Sequence, residues 1–252
     1  MTPGPHHILA AIAAVAVLAP MGALGAPAPA ATGAPASAGG ARPVQLDRVV
    51  VRWTSTDTGG PDKPQFILAR ELGFEARIEA LGDGYRGSDG YADKHVRAAI
   101  QRHVTETMLA SLPLYTNPTP KQRADTVKLV GKYAEAARLI AEQRVGGRQR
   151  LIDAARAEGI VGDEIDALLR RQAQASLYLD RMVAPMLEPT DAELREVHQH
   201  GESPFTDRPF EQPEVRQAVR RWLVASRVAA ALGRYYRNAQ ARLVVRLIDQ
   251  DG

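Results

Sequence analysis

His198 and His200 lie two residues apart, and histidine is the side chain that most readily ligates a metal or moves a proton near neutral pH. On a helix that step turns the two rings about 160° from each other, so they cannot close on one ion. No His, Asp or Glu is spaced to complete a ligand set beside them, and a polar helix end is the simpler reading. Ser203 and Ser226 come nearest to a nucleophile, yet neither sits in a G-x-S-x-G elbow. Glu164 with Asp166, and Glu193 with Glu196, could divide general acid and base work, but both pairs fall at helix starts, where the macrodipole favours negative charge. Gly82, Gly84 and Gly87 spell G-x-G-x-x-G after a helix, whereas a dinucleotide fingerprint needs a strand there. Asp83, Asp89 and Asp93 miss the ligand spacing of a calcium loop. No catalytic, cofactor-binding or metal residue is assigned, and no cofactor is called for.

The elements that would hold such groups are helices, organised around 159–196. Gly162, Asp163 and Glu164 open one apolar-periodic run, and Pro189, Thr190 and Glu193 announce another. Thr190 and Glu193 have the spacing of a capping box, each side chain reaching the other's backbone N–H. Between the two starts Ile165, Leu169, Leu179, Met182, Val183 and Met186 recur at helical spacing, which predicts one long helix with an apolar face. Further helices are expected over 64–82, 95–112, from 121 onward, and for about 25 residues from Glu214. On that last helix Val215, Val219, Trp222, Leu232 and Tyr236 share one face, while Arg216, Arg220, Arg227 and Arg234 stack on another, expected to stay solvated.

Two runs read as strands: 46–53 (LDRVVVRW) and 242–248 (RLVVRLI), both rich in β-branched residues. A lone strand cannot stand, so the two ends of the chain are expected to pair in a small sheet. The fold class is mainly α, a helical domain over 46–250 closed by that sheet. Residues 1–26 read as a cleaved signal peptide: an apolar run over 8–18, then small residues, with no Lys or Arg before it. Pro20 breaks the run well short of the roughly 20 apolar residues that span a bilayer. Residues 27–45 form a Pro/Ala/Gly leader that need not fold. The 252 residues carry no cysteine and a net charge of +3, which excludes disulfides and thiolate chemistry and describes a mildly basic chain, not a polycation.

The strings LDRVVVRW, FILARELGFEARIEAL, RLIDAARAEGI, DEIDALL and PTDAELR occur in an order that resembles the N-terminal chaperone domain of SurA-type periplasmic foldases. The resemblance covers roughly 46–248 and implies that the last helix and terminal strand return to the start of the domain. In two respects the chain departs from it. Only about 60 residues follow PTDAELR and they read as loop, helix and strand, leaving no room for the parvulin prolyl-isomerase domain such proteins often carry. The turn after the first strand is a longer TSTDTGGPDKPQ. The resemblance therefore implies a periplasmic, isomerase-free and ATP-independent chaperone that assists outer-membrane protein folding, with unfolded polypeptides as partners and no stable membrane insertion after signal removal. Met108, Met182, Met186 and Leu187 are the candidate client contacts, because flexible thioethers accommodate varied side chains; the competing reading is that these methionines are core. A prolyl-isomerase-related foldase is one alternative. The other is a basic-helix module for an acidic partner or nucleic acid, and the signal peptide argues against nucleic acid as a partner.

Overall fold

The structure is a computed structural model that describes residues 47–86 and 88–248. The signal peptide expected over 1–26 and the leader over 27–45 lie outside those residues, as does the first residue of the expected strand.

Strand β1 (Val49–Ser55) alternates as its sequence requires, with Val51, Trp53 and Ser55 buried and Arg52 exposed. The Ser55 hydroxyl accepts from the Asp57 N–H, and Gly59 and Gly60 take positive φ to turn the chain back. Strand β2 (Gln65–Leu68) then pairs antiparallel with β1, Ile67 opposite Val51 and Gln65 opposite Trp53. This corrects the helix expected from residue 64. Ile67 and Leu68 fit a strand as well as a helical period, and pairing with β1 decides between them. Helix α1 (Ala69–Gly82) follows, then α2 (Asp93–Ala110) and α3 (Pro120–Val145), which Thr119 and Gln122 cap reciprocally. Gly146 and Gly147, both at positive φ, end α3 and admit α4 (Arg148–Ala157).

Helix α5 (Gly162–Tyr178) starts where the sequence places it but does not run on to Met186. A π turn (Leu179–Val183) and a 3-10 turn (Ala184–Leu187) replace its expected last turns. Pro185 is the cause: its nitrogen cannot donate, and its ring would strike the carbonyl four residues earlier. Helix α6 (Asp191–Gln199) carries the expected capping box, the Thr190 N–H donating to Glu193 Oε2 at 2.7 Å and the Glu193 N–H to Thr190 Oγ1 at 3.2 Å. Helix α7 (Pro213–Gln240) leads into β3 (Leu243–Leu247), which pairs antiparallel with β1, Val245 opposite Trp53. The sheet order is β2-β1-β3, so the ends of the described chain meet as expected and β1 lies in the middle.

The molecule is mainly helical, with seven helices among the described residues. Val51, Trp53 and Ile67 of the sheet pack with Ala99, Val104 and Met108 of α2 and with Tyr236 and Ala239 at the end of α7. A second core joins Phe74 of α1 to α3, α4 and α5, where alanines at 136, 137, 154, 155 and 173 allow close approach. The buried face of α7 holds Val215, Val219, Leu232 and Tyr236 as read from the sequence, plus Val228; Trp222 is only half-buried.

The arginine face of α7 is less solvated than expected, because acids of the α5–α6 connection and of α6 meet it. Arg220 pairs with Glu188 and Asp191 at 3.0 and 2.7 Å, and Arg227 pairs with Glu193 at 2.7 Å. The bond from the Thr190 backbone, the Arg227 guanidinium and the Thr190 hydroxyl together hold the Glu193 carboxyl down at about 2, against an ordinary 4.5. A depressed carboxylate contributes stability above its unfolded value and loses it as the pH falls toward its folded value. Thermal melts of the wild type and Glu193→Gln should therefore differ fully above pH 4.5 and converge as the pH approaches 2.

Candidate functional site

Helix α1 places Glu71, Glu75 and Glu79 four residues apart on the face that also carries its apolar contacts, so they turn inward with Leu72 and Ala76. Opposite them α2 brings Arg102, His103 and Glu106, α3 brings Arg144, and α5 brings Arg171. Arg171 is the hub. Its Nη1 donates to Glu71 Oε1 at 2.8 Å, its Nη2 donates to Glu75, and its Nε lies 3.5 Å from Glu106 Oε2. Arg102 and Arg144 both donate to Glu79, Arg144 through two bonds. His103 Nδ1 lies 3.0 Å from Glu75 Oε1 and its Nε2 is 3.4 Å from Arg171 Nη1. The ring thus bridges the Glu75 carboxylate and the Arg171 guanidinium.

The two most enclosed carboxyls are driven in opposite directions. Burial pushes Glu75 up, but Arg171, His103 and Arg102 together outweigh it and hold the group well below the usual carboxylate range. Burial also pushes Glu106 up, and there Arg171 and Arg102 offset only part of the effect, so it stays raised. Four acids, Glu71, Glu75, Glu79 and Glu106, thus face three guanidinia and one imidazole. Glu75 Oε2 and Glu106 Oε1 are buried without a hydrogen-bond partner, each too far from Arg102 to bond, at 3.8 and 3.9 Å.

A split pair of carboxyls is what general acid and base work requires. The space beside this pair is a cavity of ≈ 50 Å³, walled by Phe74, Ile78 and Leu169 as well as by the charged groups. That volume exceeds the roughly 10–15 Å³ needed to hold a water, so water has room beside the two unpartnered oxygens. Glu71, Glu75 and His103 offer metal-ligand atoms within 4.8 Å of one another, yet the Arg171 guanidinium already bonds both glutamates and faces the imidazole. A cation set among them would meet that positive charge. The cluster ties α1, α2, α3 and α5 to one another.

The groups singled out in the sequence have local work. His198 packs on the Phe210 ring at 5.4 Å between centroids, and His200 ends α6. Asp83 accepts from Lys94 and meets His95 Nε2, and Asp89 accepts from the Arg86 N–H. Ser203 is buried with its hydroxyl unpartnered, and Ser226 is exposed. The four candidate client contacts separate. Met108 is fully enclosed in the core beneath the sheet. Met182 and Met186 stand four residues apart on the π and 3-10 turns, 41% and 75% exposed, and Leu187 beside them is half-buried against α7. No helix among the described residues is long and apolar enough to cross a membrane. The chain matches no family model, no curated protein and no solved structure.

Proposed function

We propose that this chain is an exported, periplasmic, ATP-independent chaperone-like protein that holds unfolded apolar segments, such as those of outer-membrane proteins, by surface contact alone. The observation that carries this reading is the uncovered methionine turn. Pro185 forbids an α-helix there, and the resulting turns present Met182 and Met186 to solvent beside Leu187. Unbranched thioethers adapt to many side-chain shapes, which suits clients of varied sequence. Apolar burial drives capture, and release follows when the client finds a better partner. The strings shared with SurA-type foldases support the same reading. No catalytic step and no prolyl-isomerase activity belong to it. A nucleic-acid module is less well supported, since Arg220 and Arg227 are already paired with acids.

The test is suppression of aggregation of a denatured β-barrel protein without nucleotide, comparing wild type with the Met182→Ser, Met186→Ser double variant. Full burial of a methionine is worth roughly 1.5–3 kcal/mol, so losing half of that at each of two sites should weaken suppression about tenfold or more. A wild-type chain that fails to suppress aggregation at several-fold excess would refute the proposal.

A further inference from the structure

Strand β3 pairs with β1 on one side, and among the described residues no strand pairs with its other side. The Ile248 N–H donates to the Val50 carbonyl at 3.0 Å, which fixes the alternation of the ladder. Val244 and Arg246 turn their backbone groups to β1, so Leu243, Val245 and Leu247 turn theirs away. Among the described residues no acceptor meets those outward N–H groups. The same three residues lie on the core side of the sheet, opposite the buried Ser55, Trp53 and Val51, yet Val245 is 37% and Leu247 54% exposed. Leu243 packs on the core with Tyr236 and Ala239, and beyond it Val245 and Leu247 form an apolar strip that is left open. On the outer side Arg52 and Arg246 stand directly opposite each other, both exposed and with no acidic partner among the described residues. Like charges across a ladder repel unless an anion joins them.

We infer that the β3 edge receives an extended polypeptide segment in which apolar residues alternate with acidic ones. Such a segment would complete the ladder through the outward groups of Leu243, Val245 and Leu247, lay its apolar side chains over the open strip, and set an acid against Arg246 and Arg52. The charges select this occupant. A second copy would bring another basic strand to a basic edge, and residues 1–40 of the chain contain no acid at all. That the natural occupant is a client rests on the proposed function; the surface itself is separate from the methionine turn.

The experiment uses the full chain and a fluorescent peptide of about eight residues alternating valine and glutamate, with a valine and lysine twin. The acidic peptide should bind, weaken with added salt, and slow hydrogen exchange at the Val245 and Leu247 amides. Val245→Pro removes one outward donor without touching the β1 ladder and should weaken binding about tenfold. Arg246→Glu leaves every donor in place and should reverse the preference toward the lysine peptide, which decides the matter if the proline variant does not fold. The Met182→Ser, Met186→Ser variant should bind the peptide as the wild type does. Peptide binding without suppression of aggregation would overturn the chaperone reading and leave the edge standing. Equal affinity for both peptides with no effect of Val245→Pro overturns the edge. So does protection of the Val245 and Leu247 amides in the free monomer, which would mean the chain covers its own edge, or a dimer that Val245→Pro abolishes.

Discussion

Replacing Arg171 with methionine is expected to destabilise the fold by about 3–5 kcal/mol, the range for removing one partner from a buried ionic cluster. The guanidinium bonds Glu71 and Glu75 and lies beside Glu106, two of which are almost fully enclosed. Without it the remaining positive groups are Arg102, held on Glu79, and Arg144, which reaches only Glu79. Glu75 then loses the largest influence that holds its proton affinity down and is left to the burial that raises it. This reverses the sign of the pH response. In the wild type the depressed Glu75 contributes stability above the ordinary carboxylate value of 4.5 and loses it on acidification. In Arg171→Met, lowering the pH protonates the stranded acids and should recover stability. Urea unfolding of both proteins at neutral and mildly acidic pH reads the effect, and Glu75→Gln in the Arg171→Met background should restore part of the loss.

Trp53→Ala carries the other large effect, about 3–5 kcal/mol for deleting an enclosed aromatic side chain. Trp53 sits on the central strand, 1% exposed, with partners on both sides and the end of α7 packed against the same core. Its loss should therefore loosen β3 and the last turns of α7 before the α3–α5 core, which hydrogen exchange resolves segment by segment. Trp53→Phe keeps most of the volume and should cost clearly less. A Trp53→Ala chain as stable as the wild type would contradict the role given to the paired termini.

Much of this architecture is legible in the chain. The runs 46–53 and 242–248 are rich in β-branched residues, and neither could bury its backbone alone, so their pairing follows from the sequence. The intervening β2 is hidden because Phe66, Ile67 and Leu68 satisfy both periods and only a neighbour across the ladder chooses. Pro185 stands in plain view inside the apolar run and was the available sign that α5 must end early. The buried network had one visible trace, Glu71 and Glu75 recurring within the apolar period of α1. Its partners lie far along the chain, Arg171 one hundred residues from Glu71, and nothing local joins them. Methionines are alike in sequence: whether Met108 is enclosed and Met186 is open depends on which element arrives to cover each.

Contact with unfolded chain at the methionine turn is the central claim, and a photo-cross-linking residue placed at position 186 tests it most directly. The control is the same residue at position 127, where Val127 on α3 is 72% exposed and lies away from that turn in sequence and element. During refolding of a β-barrel client without nucleotide, the account predicts strong cross-links from 186 and few from 127. Equal labelling from both positions, or none from 186, would contradict it.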